Sequence, residues 1–449
     1  MKRYIDYFLL EWKQDPTRKP LLLRGARQVG KTYAARTLGA TFQSFIELNL
    51  ETDAGVRELF ASTLDIDYIM LRLAQFAEKP LIPGETLLFI DEIQHVPQAI
   101  TALRYFYEKY PQLHVIAAGS LLEFAIEEVG MPVGRITSRY MYPLSFLEFL
   151  VASGKPEWAI AITQQAADGV MNDALHKPLL HLVSIYLAVG GMPAAVDAWS
   201  STYNLRKVQT VHTELLDTYR QDFAKYAKKH QIKFLEILLQ KSLEQLGGPF
   251  VFARVGEYQK RELAPALNLL EKAGLIHKSF CTAAQGIPLG AQADLDRFKV
   301  ILCDVGLTQA LLALDLTTWF TDESAAFINQ GALVESFVGQ EMLVYADPLR
   351  ARTLFYWQRI ERGSSAEVDY VVQLRNEIVP MEVKAGSSRR LKSILLFLAT
   401  HQQSTHAIRF SAHPYSVQPP VHSYPLYAIV KPLLDASDIV RDAIAYLVA

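Results

Sequence analysis

A glycine-rich loop near the amino end carries the clearest pattern for chemistry in the sequence. Residues 25–32 read Gly-Ala-Arg-Gln-Val-Gly-Lys-Thr and satisfy G-x-x-x-x-G-K-[ST], with an apolar run before them and a helical pattern after them. Gly25 and Gly30 let the backbone curl so that N–H groups point at phosphate oxygens. Lys31 neutralises the β- and γ-phosphates, and the Thr32 hydroxyl is a ligand for Mg²⁺. The loop therefore predicts binding of ATP with magnesium.

Two adjacent carboxylates follow a second apolar strand and supply the acidic groups that hydrolysis needs. Residues 86–92 read Thr-Leu-Leu-Phe-Ile-Asp-Glu. In a parallel sheet this strand end lies beside the phosphate loop, so we expect Asp91 to hold the Mg²⁺ shell and Glu92 to polarise the attacking water. The pair favours water over a bound small molecule as the acceptor. A third strand, residues 114–118, leads to Ser120, which we predict to contact the attacking water or the γ-phosphate.

Two arginines downstream are candidates for stabilising the charge of the transition state. Arg135 and Arg139 follow the third strand, and either one is positioned in the sequence to act within its own chain or on a neighbouring subunit. The alternative is that both are surface arginines that pair with Glu127 or Glu128.

These blocks resemble a known family. The phosphate loop, the strand with its two carboxylates, and residues 118–122, 132–135 and 142–146 are similar to AAA-type ATPases of bacteria and archaea that carry a restriction-endonuclease-like C-terminal domain. The resemblance implies an α/β P-loop core with a helical lid. It assigns ATP and Mg²⁺ to Lys31, Thr32, Asp91 and Glu92, and it extends to Ser120 and Arg135.

A second group of charged residues lies in the C-terminal third. The strand period of two puts Glu382 and Lys384 on one face, and Asp369 lies thirteen residues earlier, the separation expected across a hairpin. This is the arrangement of PD-(D/E)XK nucleases, in which Asp369 and Glu382 hold Mg²⁺ and Lys384 orients or deprotonates water. Glu335 on the preceding helix would complete the metal cage. The family resemblance extends here through residues 331–337, 367–370 and 380–384.

Two functions of different classes are compatible with these residues. One is an ATPase whose C-terminal domain is a Mg²⁺-dependent nuclease that acts on DNA or RNA under nucleotide control. The other is a regulatory ATPase switch whose nuclease-like domain is inert and binds partners, since charged residues at strand ends are common and folds outlive activities. The surrounding basic residues either line a groove for a nucleic-acid backbone or form a solvated rim: Arg350, Arg352, Arg359, Arg362, Arg389, Arg390 and Lys392.

The elements that would position these groups form a multidomain α/β chain. Residues 154–226 have helical spacing, and residues 234–280 follow the helix, turn, helix, strand order of a winged helix. The winged helix either docks on a duplex through its second helix or serves as a scaffold. We favour the scaffold, because this helix has few base-reading side chains beyond Lys260, Arg261 and Lys272. The predicted domains are an AAA-type ATP-binding domain, a helical lid, a winged-helix-like domain and a restriction-endonuclease-like domain, over residues 1–150, 151–228, 229–320 and 321–449.

Composition sets the limits within which these domains must work. The chain has 449 residues, of which 50% are apolar and 20% charged, with a net charge of −2, so it can bury several cores and carries no uniformly cationic coat. Cys281 and Cys303 are too few for a disulfide framework or a cysteine zinc site. Apolar runs are too short for a membrane span, and early charges interrupt any signal peptide. We expect a cytoplasmic protein whose partners are ATP, DNA or RNA, and a protein or second copy, without a membrane.

Overall fold

Three sheets and the helices around them share buried apolar contacts from one end of the chain to the other. The computed structural model describes residues 1–165, 173–314, 330–361, 364–385 and 391–449. One core cluster includes Tyr4 near the amino end, Leu144 and Leu238 in the middle, and Leu447 at the carboxyl end. Of the basic residues singled out above, Arg362, Arg389 and Arg390 lie outside the described residues.

The first sheet is parallel, with five strands in the order β2-β3-β4-β1-β5. Its central strands are apolar on both faces because helices cover both sides, as parallel sheets require. The strands are β1 (Leu21–Arg24), β2 (Ser44–Asn49), β3 (Thr86–Asp91), β4 (His114–Ala118) and β5 (Thr137–Tyr140). The helices are α1 (Tyr4–Gln14), α2 (Lys31–Gly39), α3 (Ala54–Ser62), α4 (Ile66–Ala77), α5 (Pro97–Lys109) and α6 (Leu122–Val129).

A helical region follows the sheet, as the spacing of its apolar residues predicts. Its helices are α7 (Phe146–Ala152), α8 (Pro156–Gln164), α9 (Asp173–Val189), α10 (Pro193–Thr202) and α11 (Leu205–Tyr226). Residues 219–223 do not begin a helix of their own. Tyr219 lies inside α11, because Val208, Leu215 and Phe223 continue one buried face with no glycine or proline to interrupt it.

The middle of the chain contains two helices, a two-stranded hairpin and a third helix. They are α12 (Lys229–Leu243), α13 (Lys260–Lys272), β6 (Ile276–Thr282), β7 (Ala293–Leu302) and α14 (Val305–Leu312). The hairpin does not stand alone, because β6 also pairs in parallel with a strand of the C-terminal third, β8 (Leu354–Glu361). With β9 (Ser364–Val368) these strands form one sheet in the order β7-β6-β8-β9. The middle and C-terminal parts therefore share a sheet.

The C-terminal third places a long buried helix, α15 (Gly331–Val344), beside a mixed sheet. This sheet has the order β10-β11-β12-β14-β13. The remaining elements are β10 (Tyr370–Leu374), β11 (Glu377–Lys384), α16 (Lys392–Thr400), β12 (Ala407–Ser411), β13 (Ser416–Gln418), β14 (Val421–Pro425), α17 (Lys431–Ala436) and α18 (Asp438–Val448). None of the helices in the described ranges combines the length and apolar character needed to cross a bilayer.

Residues 367–373 do not form one continuous strand, because the pairing is interrupted at Asp369. The part before it belongs to β9, which pairs with β8, and the part after it belongs to β10, which pairs with β11. The chain changes sheets at this residue, so the backbone cannot continue as one strand. Asp369 therefore lies in the corner between two sheets, next to β11.

Candidate nucleotide site and carboxylate cluster

The two motif glycines shape the loop between β1 and α2. Gly25 has a φ of 144° and Gly30 a φ of 100°, in the region that side chains with a Cβ rarely adopt. A Cβ at Gly25 would lie 2.2 Å from the carbonyl oxygen of Met141, and one at Gly30 would lie 3.1 Å from Nη1 of Arg3. Both positions thus need glycine, for conformation and for space.

Lys31 begins α2 and is held against the loop itself. Its Nζ donates hydrogen bonds to the carbonyl oxygens of Gly25, at 2.9 Å, and Ala26, at 2.8 Å. Burial lowers the pKa of Lys31 to about 8, although the nearby carboxylates of Glu92 and Asp91 act in the opposite direction. The side-chain nitrogen of Lys31 is therefore held at the loop where a phosphate would bind.

Thr32 and Asp91 form a pair of oxygen ligands suited to magnesium. The Thr32 hydroxyl donates to Oδ2 of Asp91 at 2.7 Å, and the N–H of Glu92 donates to Oδ1 at 2.9 Å. Burial raises the pKa of Asp91, and the Thr32 hydrogen bond opposes this rise. Hydroxyl and carboxylate oxygens are the hard donors that Mg²⁺ prefers, so the residues fit this ion.

Glu92 and Ser120 lie just after the ends of two neighbouring strands. Glu92 follows β3, and Ser120 follows β4 by two residues. Glu92 has a φ of 52°, and its Oε2 accepts a hydrogen bond from Nε2 of Gln94 at 2.5 Å. A Cβ at Gly119 would lie 2.1 Å from Oε1 of Gln94, so this amide packs closely against the backbone that follows β4. Ser120 is buried beside it. Gln94 was not identified from the sequence, although it follows the acidic pair by two residues.

Arg135 lies in a surface ion pair. Its Nε is 3.0 Å from Oε1 of Glu108 on α5, and its side chain is 47% exposed. The partner is therefore neither Glu127 nor Glu128. Arg139, on β5, is partly buried, and burial lowers its pKa. The assignment of Arg135 to the transition state stays a prediction.

Residues outside the motif support the phosphate loop from several sides. Arg3 is buried, and it donates to the carbonyl oxygens of Val29 at 2.9 Å and Tyr142 at 2.8 Å. Its Nε is 2.7 Å from Oε1 of Glu148 on α7. No local sequence pattern marks Arg3, because its partners are distant in the chain.

Helix α11 contacts the loop through Arg27. One guanidinium nitrogen of Arg27 lies 2.8 Å and 2.7 Å from the two carboxylate oxygens of Asp222. The Tyr219 hydroxyl donates to the Arg27 carbonyl oxygen at 2.9 Å. Nζ of Lys225 lies 3.2 Å from Asp222 as well. Asp222 and Tyr219 of α11 are therefore direct neighbours of the phosphate loop.

A cavity of about 530 Å³ lies between the loop and the middle of the chain. Its lining includes Gly25 and Ser120 from the first sheet, and Lys272 and Arg352 from later parts of the chain. The turn after α13 closes one side, since a Cβ at Gly274 would lie 3.2 Å from Cβ of Ala26. Arg352 thus lies near the phosphate loop instead of bordering the C-terminal carboxylates.

The four residues predicted as a nuclease site do converge. Lys384 forms an ion pair with Oε1 of Glu382, and Oδ2 of Asp369 accepts a hydrogen bond from the N–H of Val383 at 2.7 Å. Burial raises the pKa of Glu382 and that of Glu335, and in both cases the charge of Asp369 adds to the rise. We call Glu335, Glu367, Asp369 and Glu382 the carboxylate cluster.

A lysine from the hairpin lies inside this cluster and was missed in the sequence. Nζ of Lys299 on β7 lies 2.8 Å from Oε1 of Glu335 and 2.5 Å from Oε1 of Glu367. The signal was a single lysine within the apolar run of residues 298–302. Across the described ranges, no group of three histidine, cysteine or acidic side chains is arranged to hold a metal ion. The cluster as it stands does not fit Mg²⁺. Ammonium groups pair with Glu335, Glu367 and Glu382, and a backbone N–H donates to Asp369.

Comparison with protein families assigns the first third of the chain. Residues 17–150 match the AAA domain, which contains the phosphate loop and both strand ends described above. The chain contains an AAA-type ATPase domain. The family implies nucleotide binding, and the predicted α/β core with its parallel sheet is confirmed. Residues 180–318 match a domain of unknown function (DUF8612), and residues 330–429 match another (DUF4143).

Solved structures give distant similarities to this chain. The Drosophila ORC bound to DNA is 16% identical, with 69% of this chain and 85% of that chain covered and a TM-score of 0.25. The Thermotoga maritima RuvB Holliday junction branch migration motor is 14% identical, with 62% and 88% covered and a TM-score of 0.28. A signal transduction ATPase with a tetratricopeptide repeat sensor, from Pyrococcus horikoshii, is 12% identical, with 75% and 48% covered and a TM-score of 0.28. Among curated proteins, none matches the chain. These low scores do not extend the assignment beyond the AAA domain.

Proposed function

We propose that this protein binds ATP with Mg²⁺, hydrolyses it, and uses the nucleotide state to change the contacts between its AAA domain and the rest of the chain. The observation that carries the proposal is the assembly of Lys31, Thr32, Asp91 and Glu92 around a loop whose glycines are required by geometry. These are the groups that cradle phosphates, hold the metal and orient water in P-loop ATPases.

Each residue has a distinct role in this reaction. Lys31 leaves the loop carbonyls and binds the β- and γ-phosphates, while Thr32 and Asp91 hold Mg²⁺, which offsets phosphate charge when bound. Glu92 orients the attacking water, and Gln94 holds the Glu92 carboxylate in place. Ser120 contacts the γ-phosphate at the end of β4. Arg135 would serve a second copy of the chain, since it is exposed.

The contacts made by the loop support a switch in preference to an isolated ATPase. Arg27 is bound by Asp222 of α11, and Ala26 packs against Gly274 beyond α13. A rearrangement of the loop on binding phosphate therefore acts directly on the helical region and on the winged-helix-like middle part. We propose that these parts, together with the nuclease-like C-terminal part, hold a partner.

Phosphate release by purified variants tests the ATPase. Lys31→Ala is expected to lower the rate by about 100-fold or more, because the preorganised cation for the phosphates is lost. Glu92→Gln is expected to retain ATP and to hydrolyse it slowly, so that nucleotide stays bound after gel filtration. Lys241→Ala is the matched control, because Lys241 forms an exposed ion pair with Glu244 on α12. Equal rates for Lys31→Ala and the control would contradict the proposal.

Cleavage of DNA or RNA is the second candidate, and the convergence of Glu335, Asp369, Glu382 and Lys384 favours it. Incubation of plasmid or RNA with the protein and Mg²⁺ or Mn²⁺, with and without ATP, tests this activity. The nuclease hypothesis expects nicking that Lys384→Ala abolishes. Absence of nicking in the unaltered protein, or equal nicking by the variant, would leave the switch as the function.

A further inference from the structure

Lys299 is buried on β7, an edge strand of the sheet that joins the middle and C-terminal parts. It lies on β7 opposite Ser279 of β6, and its residue is 2% exposed. Its Nζ contacts the carboxylates of Glu335 and Glu367 and lies 5.2 Å from the centroid of the Tyr356 ring. A lysine stem reaches this position across an apolar surface, and the ammonium ends among acidic groups.

Two carboxylates lie within ion-pair distance of Nζ, Glu335 at 2.8 Å and Glu367 at 2.5 Å, and they supply the opposite charge that a buried ammonium needs. The other members of the carboxylate cluster also have partners within the protein. Asp369 accepts from the backbone of Val383, and one oxygen of Glu382 pairs with Lys384.

We infer that Lys299 is the resident cation of the carboxylate cluster, and that the cluster binds no divalent metal while Lys299 is in place. Four carboxylates face two ammonium groups, and a divalent ion bound by Glu335 or Glu367 would have to displace the Lys299 ammonium. Metal ions of this class need several carboxylate oxygens at short distance. The only cluster oxygen that is buried without a hydrogen-bond partner among the described residues is Oε2 of Glu382.

Lys299 and the carboxylates that it pairs with come from different parts of the chain. Lys299 belongs to the β6–β7 hairpin, whereas the cluster belongs to α15, β9, the corner at Asp369 and β11. The hairpin is fixed by pairing between β6 and β8, from Ser279 with Leu354 to Cys281 with Tyr356. The middle of the chain thereby supplies the ammonium group that occupies the carboxylate cluster of the C-terminal part. Phosphodiester cleavage would require that the hairpin withdraws.

Thermal unfolding with Mn²⁺ and without nucleotide tests the inference. All variants carry Thr32→Ala and Asp91→Ala, which remove both metal ligands of the phosphate loop, so the outcome is independent of the ATPase proposal. With Lys299 present, Mn²⁺ is expected to leave Tm unchanged. Lys299→Met keeps the apolar stem but leaves the carboxylates unpaired, so Tm falls, and Mn²⁺ is expected to restore it in part. Adding Glu382→Gln to Lys299→Met is expected to cancel the restoration.

A matched lysine from the same hairpin separates charge replacement from general effects of the metal. Lys278 on β6 pairs with Glu271, outside the cluster, and Mn²⁺ is expected not to restore Lys278→Met. Failure of Mn²⁺ to restore folded Lys299→Met would overturn the inference. Should Lys299→Met not fold, Mn²⁺ binding is measured by electron paramagnetic resonance on the chain that retains Lys299. A bound ion that Glu382→Gln removes would overturn the inference, and no binding supports it.

Discussion

At the scale of single residues, Lys31 gives the ATP site a pH dependence of its own. The pKa of Lys31 is lowered to about 8 by burial, so its ammonium loses its proton as the pH rises through this value. Bound phosphate favours the charged form, and ATP affinity is therefore expected to fall above pH 8, by up to about tenfold for each further pH unit. Calorimetric titration with ATP and Mg²⁺ over this range measures the effect.

Lys31→Arg provides the comparison for that titration, because a guanidinium stays charged throughout this range. Its affinity, although weaker at neutral pH, is expected to lack the decline above pH 8. A decline of the same size in both proteins would assign the pH dependence to another group.

The same scale explains which parts of the candidate site could be read from the sequence. Lys31 and Thr32 belong to a contiguous motif whose spacing fixes their geometry, and Asp91 and Glu92 end a recognisable strand. Lys299 precedes Glu335 by thirty-six residues, and Arg27 and Asp222 are still farther apart. Such pairs depend on how elements pack in three dimensions, and no local pattern records that packing.

At the scale of elements, a buried aspartate determines how α9 joins α10. Oδ2 of Asp304 accepts from the N–H of Gly191 at 2.6 Å, and Oδ1 accepts from Leu307 at the start of α14 at 3.0 Å. The glycine pair at 190–191 is a local turn pattern, but its partner Asp304 lies 113 residues after Gly191 and no local pattern indicates it. Gly190 is required here, since a Cβ would lie 2.2 Å from Asp304 Oδ1.

Asp304→Ala is expected to lower the free energy of unfolding by about 2 kcal/mol or more, because buried N–H groups lose their acceptor. Urea denaturation followed by circular dichroism measures this change. Asp296→Ala is the control, because Asp296 is 80% exposed and pairs only at the surface with Lys260. Similar losses for both variants would refute the role of Asp304 as a buried connector.

Burial of the Asp304 carboxyl also raises its pKa to about 6. A pKa that is higher in the folded protein than in the unfolded chain stabilises the fold at low pH, and this contribution is lost as the pH rises through 6. The decrease in the free energy of unfolding caused by Asp304→Ala is therefore expected to be smaller at neutral pH than at pH 5. An effect that grew with rising pH would contradict the assignment.

At the scale of the whole molecule, the AAA domain and the later parts of the chain are connected through the phosphate loop. The pattern of apolar residues predicted most of the elements, but it did not predict that β6 and β8 pair across two matched domains. The apolar pattern also did not predict that Asp369 separates two strands. Both features depend on strand pairing that a local pattern does not record. One buried apolar cluster therefore extends across the four predicted domains.

This continuity predicts that ATP orders α11. In the Glu92→Gln protein, ATP with Mg²⁺ is expected to slow amide hydrogen exchange in α11, because the loop that binds phosphate is tied to that helix by Arg27 and Asp222. Asp222→Ala in the same background is expected to cancel the protection while nucleotide remains bound. Asp217→Ala is the matched control on this helix, because Asp217 pairs only with Arg220 at the surface. If exchange in α11 does not respond to ATP in the Glu92→Gln protein, the loop acts without the helix and the switch must operate through the contact between Ala26 and Gly274.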